Sequence, residues 1–244
     1  MELADKVALI TGSTGGIGGE TAQVMAAAGA EVVITGRDAR RGATTVEAIR
    51  NKGGVARFVA ADLADLTALR RLAEEAGAVD ILVHNAAVFP NAPTVSQDVE
   101  SFDAALAANV RAPYFLTAAL APAMIAKGSG SIINVSTLGA RVGMPGLSVY
   151  SATKAALESL TRAWAAEFSP AGVRVNTVVP GPTGTDGVLA SAGEEGTRRL
   201  ARTTLLGRLA TPREIAEVIL FLASDRTRFI TGATIAAGAG RPAI

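Results

Sequence analysis

The chain has no cysteine and a single histidine, His84, in 244 residues. The first absence excludes disulfides, thiolate metal sites and cysteine nucleophiles. The second excludes a multi-histidine metal cluster and argues against a Ser-His-Asp triad. Aromatic residues are 4% of the chain, so no stacking platform for ring substrates is indicated. A formal net charge of +1 points to neither a nucleic-acid partner nor an anionic membrane surface. No apolar run reaches the ~20 residues of a membrane helix. Met1 to Lys6 lead straight into a strand without a signal-peptide pattern, so a cytoplasmic protein is expected. What is present is 49% hydrophobic and 18% charged residues, on a length that suits one α/β domain spanning 1–244.

Short apolar runs rich in β-branched residues alternate with helix-like stretches. Strands are expected at Val7–Thr11, Glu31–Thr35, Val55–Ala60, Val79–His84, Ser131–Ser136 and Val173–Val179, with a weaker one around Ile235. Helices are expected at Glu20–Ala28, Asp38–Asn51, Leu66–Ala76, Gln97–Ala126, Val149–Phe168 and Pro212–Ala223. Strands this apolar, each followed by a helix, imply a doubly wound parallel sheet covered on both faces. Pro180–Gly187 and Ala192–Gly196 read as loop, making 182–211 a candidate mobile substrate lid.

Between the first strand and helix lies Thr11-Gly12-Ser13-Thr14-Gly15-Gly16-Ile17-Gly18. Glycines allow a tight turn and close backbone approach to a phosphate, and the helix N-terminus adds unpaired N–H groups. This context favours a dinucleotide site over a merely glycine-rich turn. The second strand ends Gly36-Arg37, with no carboxylate where a ribose 2′-phosphate would lie and a guanidinium able to pair with it. That favours NADP(H) over NAD(H); the alternative is a solvated helix-start arginine. Asp62, followed by Leu63, comes after the third strand and suits either an adenine amino contact or a cap. Tyr150 and Lys154 are four residues apart on one helix and share a face. An ammonium beside a phenol favours the phenolate, so a lowered tyrosine pKa and proton exchange with a substrate oxygen are expected.

In this order the motifs resemble those of the short-chain dehydrogenase/reductase family, classical type, across essentially the whole chain. The loop at Gly12, Ser13, Thr14, Gly16, Ile17 and Gly18 resembles the family's Thr-Gly-x-x-x-Gly-x-Gly, and Tyr150/Lys154 its Tyr-x-x-x-Lys. Asn109 matches its active-site asparagine, Asn85-Ala86 falls in its Asn-Asn-Ala-Gly, and Pro180-Gly181 matches its Pro-Gly. The resemblance implies a Rossmann-like fold of about seven strands. It implies hydride transfer between a nicotinamide and a carbonyl or secondary alcohol, as in 3-oxoacyl-thioester or general ketone reductases. By the same resemblance Tyr150 is the acid in reduction and the base in oxidation. Lys154 tunes it and holds the nicotinamide ribose, and Asn109 supports a water relay by way of Lys154. Thr183 and Thr185 match a position contacting the nicotinamide amide or pyrophosphate. A homotetramer or dimer through the helices around Gln97–Ala126 and Val149–Phe168 is expected by analogy.

Three departures stand out. The catalytic serine position is Thr137, with Ser136 as second choice if the loop shifts by one residue. His84-Asn85-Ala86-Ala87 replaces Asn-Asn-Ala-Gly; Ala87 would resist φ > 0, and His84 reads as a packed structural residue. Ala237-Gly238-Ala239-Gly240 replaces Val-Asp-Gly-Gly. These changes keep open a second reading, a dinucleotide-binding sensor or scaffold with weakened catalysis. Phe89, Met144 and Leu147 are candidates for either an apolar substrate wall or core.

Overall fold

The computed structural model describes residues 1–241. Alternation along the apolar runs decides the architecture. In β1 (Val7–Ile10), Ala8 and Ile10 enter one hydrophobic cluster while Leu9 enters the other. The same split separates Val32 and Ile34 from Val33 in β2 (Glu31–Gly36), and Ile81 and Val83 from Leu82 in β4 (Ile81–His84). Strands apolar on both faces are satisfied only between two helical layers. With β3 (Val55–Ala60), β5 (Gly130–Val135), β6 (Val173–Pro180) and β7 (Thr234–Ala237) they form one parallel sheet of order β3-β2-β1-β4-β5-β6-β7.

On one face lie α1 (Gly16–Ala27), α2 (Ala39–Arg50) and α8 (Pro212–Ala223), burying Met25, Ile49, Ile215, Ile219 and Leu222. On the other lie α3 (Leu66–Ala76), α5 (Ala112–Lys127) and α6 (Ser148–Phe168), burying Leu72, Leu116, Leu120, Leu157 and Trp164. Side-chain caps start several helices: Asp38 accepts from the amides of Arg40 and Arg41, and Thr211 forms a capping box with Glu214. The strand order reverses between β1 and β4, which opens a crevice at the carboxyl ends of the strands where open α/β sheets bind ligands.

Two expectations are corrected. Gln97–Ala126 is not one α-helix: α4 (Val99–Leu106) gives way to a π-helical turn at Ala107–Arg111 before α5. Pro113 explains the break, because it has no N–H for the carbonyl of Asn109 four residues back; the Ala112 amide bonds instead to Ala107, five back. The segment expected to be loop at Ala192–Gly196 lies in α7 (Asp186–Arg202), which Gly193 kinks with φ 62° and ψ −175°. The ends of this segment are stapled together, with Gly184 N donating to Ala210 O and Ala210 N to Pro182 O. No helix of the described residues is long and apolar enough to cross a membrane.

Candidate active site

The glycine loop sits at the reversal point. Gly12 (φ 63°) packs so tightly on the β4 end that a Cβ there would fall 2.8 Å from the Ala86 Cα. Asn85 spends both amide hydrogens on the carbonyls of Thr11 and Gly12, at 3.0 Å each, and so braces the loop from below. The Thr11 hydroxyl accepts from the amides of Asn85 and Ala86. Gly18 packs against the same bracing: a Cβ there would lie 2.4 Å from Asn85 Nδ2 and from Gly12 O. The first turn of α1 has no side-chain cap and no acidic residue, so its amides stay available to an anion. Ile17 packs on the core below the loop. These features fit a dinucleotide pyrophosphate.

At the end of β2, Gly36 leaves room that a side chain would take from Thr14, whose Cγ2 lies 2.9 Å from the Cβ position. Arg37 is exposed beside it. Arg41 lies across the loop, its Nη2 donating to Thr14 O at 3.4 Å. Sequence alone does not single out Arg41. Its position one turn into a helix capped by Asp38 brings it over the glycine loop.

Other expected contacts are used internally. Ser13 is buried, its hydroxyl donating to Ile10 O and accepting from Thr35 N, so it stitches β1 to β2. Asp62 accepts from Ala64 N in a turn, and Leu63 packs on the core. Thr183 donates to Gly181 O. Thr185 caps α7 and places its methyl 3.4 Å from a Cβ on Gly16, across the crevice from the α1 N-terminus. Pro180 ends β6, and Gly181 lies so close to Gly238 that a Cβ on Gly181 would fall 2.8 Å from the Gly238 Cα.

Lys154 is 1% exposed, and its Nζ donates to Val135 O at 2.7 Å, 6.0 Å from the centre of the Tyr150 ring. Burial pushes the Lys154 ammonium down to about 8. Burial pushes the Tyr150 phenol up to about 12, with the Thr137 hydroxyl opposing that rise. The lowered phenol expected from the Tyr-Lys spacing is therefore not what this geometry gives: burial raises the phenol by more than the Thr137 hydroxyl lowers it. Of the two hydroxyl candidates after β5, Thr137 is the one beside the phenol. Ser136 is buried and donates to Glu158 Oε1 at 2.7 Å. Phe89, 54% exposed, meets the Tyr150 ring edge-on with centroids 4.5 Å apart.

Asn109 lies in the π-helical turn. Its Oδ1 accepts from Val88 N at 2.8 Å, and its amide hydrogens go to Val88 O and Thr153 Oγ1. It therefore fixes the loop after β4 to α6, and its side chain makes no bond to Lys154. Ala87 does not adopt positive φ, so the strain expected there does not arise. His84 is buried at the end of β4, with Nε2 2.8 Å from Thr117 Oγ1 and its ring against Trp164. Burial first, then the Lys154 charge, push its pKa down to about 3, so the ring is neutral.

A family model described as "Enoyl-(Acyl carrier protein) reductase" matches residues 12–241. A short chain dehydrogenase/reductase family protein of known structure superposes with a TM-score of 0.95 at 53% identity, covering 100% of both chains. The cis-4-hydroxycyclohexanecarboxylate dehydrogenase of Sinomonas cyclohexanicum is 38% identical over 99% of this chain and 98% of its own. A gluconate 5-dehydrogenase from Burkholderia cenocepacia, solved in complex with NADP and tartrate, is 30% identical with a TM-score of 0.93 over 100% and 97% of the two chains. The sheet order, the glycine loop and these full-length likenesses agree: the chain is an oxidoreductase of the short-chain dehydrogenase/reductase family.

Proposed function

We propose that the protein is an NADP(H)-dependent carbonyl reductase or secondary-alcohol dehydrogenase whose proton donor is Tyr150. The observation that supports this most is the Thr137 hydroxyl beside the Tyr150 phenol, with buried Lys154 one helical turn further along and 6.0 Å from the centre of the phenol ring. A bound nicotinamide would supply or accept the hydride at the substrate carbon. Gly12, Thr14, Gly16 and the α1 N-terminus would hold the pyrophosphate, with Thr185 opposite. Arg37 and Arg41 would pair with the 2′-phosphate beside Gly36, which is the basis for NADP(H) over NAD(H). Lys154 spends one of its three protons on Val135 O and retains others for ribose hydroxyls.

In reduction, Tyr150 gives its proton to the substrate oxygen while Thr137 donates a hydrogen bond to it, stabilising the alkoxide as it develops. The phenol, raised by burial, is protonated at neutral pH, which is the form that reduction needs. Oxidation of an alcohol needs the phenolate and therefore runs better as pH rises. Asn109 positions the loop after β4, and Phe89 offers an apolar edge over Tyr150, so a carbonyl flanked by an apolar group fits. The segment 182–211, closed at its base and kinked at Gly193, would act as the substrate lid. The apolar side chains Phe102, Leu106, Tyr114 and Phe115, exposed on α4 and α5, would meet a second copy in a homodimer or tetramer. Tyr150, Lys154 and the Thr137 hydroxyl stand together despite the sequence departures, so no observation favours the sensor reading.

The test is a spectrophotometric screen of NADPH oxidation against chemically varied ketones and β-keto thioesters. Turnover with NADPH exceeding that with NADH supports the assignment. Tight NADPH binding without oxidation by any carbonyl compound would overturn it.

A further inference from the structure

α6 projects three side chains from successive turns toward the end of β5: Tyr150, Lys154 and Glu158, each four residues apart. The last is a carboxylate only 7% exposed. Such burial is costly unless the charge is paired and hydrogen-bonded, and both Glu158 oxygens are engaged. Oε1 accepts from the Ser136 hydroxyl at 2.7 Å, and Oε2 accepts from Nε and Nη2 of Arg141, each at 3.2 Å. Ser136 and Arg141 flank Thr137. One carboxylate thus ties down both ends of the short 3₁₀ turn (Leu138–Ala140) that Thr137 opens.

Within that turn the remaining bonds are local: Ala140 N to Thr137 O, Arg141 N to Leu138 O, and Gly139 N to Thr137 Oγ1. They shape the turn but do not fix it against α6; apart from Glu158, a longer bond from the Ser136 hydroxyl to Lys154 O, at 3.4 Å, also reaches that helix. Threonine is stiff at χ1, so the direction of its hydroxyl follows its backbone. We infer that Glu158, acting with Arg141 through Ser136 and the turn, is a positioning residue that aims the Thr137 hydroxyl at the substrate oxygen beside Tyr150. This rests on the proposed carbonyl chemistry. It assigns to Ser136 a supporting bond rather than the catalytic hydroxyl.

A double-mutant cycle tests it. Glu158→Gln, Arg141→Gln and Thr137→Val are made singly, and each of the first two is combined with Thr137→Val. kcat is measured for NADPH-dependent reduction of the best carbonyl substrate, the NADPH Kd by fluorescence titration, and amide hydrogen exchange over residues 136–142 by mass spectrometry. Misplacing a hydroxyl by a fraction of an ångström should lower kcat roughly ten-fold in either clamp variant, with the NADPH Kd unchanged. Exchange over 136–142 should quicken, and the kcat loss should vanish in the Thr137→Val background.

An equal loss in that background, unchanged exchange, or faster exchange without a kcat loss would each overturn the inference. Arg141 is more than a third exposed, so its variant carries the cycle if Glu158→Gln fails to fold. A wild-type protein that turns over no carbonyl compound would overturn the underlying functional reading, and the inference with it, whereas the exchange result fails or holds independently of turnover.

Discussion

His84 should make the protein acid-sensitive well above the carboxylate range. The imidazole is buried, hydrogen-bonded to Thr117, and held near 3 against an ordinary 6.5 by burial and by the Lys154 charge. The folded-state value lies below the unfolded one, so as pH falls the unfolded chain takes up the proton first. Stability present above pH 6.5 is therefore lost progressively toward pH 3. Integrating proton uptake between pH 7 and pH 5 gives a loss of about 2 kcal/mol, or roughly 4–8 °C in Tm for a chain of this size. Unfolded carboxylates titrate lower, near 4, and this is the only histidine of the chain. The window thus reports one residue. The assay is urea unfolding at pH 7 and pH 5 for the wild type and His84→Asn. The difference between the two pH values is the readout, since asparagine also leaves a void. An equal loss in the variant would refute the reasoning.

Arg37→Ala and Arg41→Ala should each weaken NADPH binding about five-fold, because an exposed charge-assisted contact is worth roughly 1 kcal/mol, while leaving the NADH Kd unchanged; fluorescence titration of both cofactors checks this, and parallel changes would remove these side chains from the 2′-phosphate. Gly12→Ala should both destabilise the fold by about 1–3 kcal/mol and abolish tight cofactor binding. Its φ is 63° and its Cβ would sit 2.8 Å from the Ala86 Cα. Thermal unfolding and NADPH titration of that variant are the checks.

Much of this was readable along the chain because the informative contacts are local or periodic. The strands of a parallel sheet are apolar on both faces, and their runs from Glu31 and Val173 stand out in sequence. The glycine loop and the Tyr150/Lys154 spacing are likewise local patterns. What was not readable depends on distant residues. The π-helical turn at Asn109 follows from Pro113, a signal present in sequence but masked by the continuous apolar pattern on either side. The kinked helix at Gly193 hides in a stretch whose glycines suggest loop. The raised phenol is not legible either, because the Tyr-Lys spacing carries no information on the burial of Tyr150. The Glu158 clamp joins side chains separated by 17 and 22 residues across a strand end, and only the fold brings them together.

The central claim is that the Tyr150 phenol delivers the proton. Tyr150→Phe keeps the ring against Phe89 and removes only the hydroxyl. The account predicts that carbonyl reduction falls by roughly 10³-fold or more while NADPH binds with an unchanged Kd. A variant that binds NADPH normally and still reduces the substrate at a rate near the wild type's would contradict it.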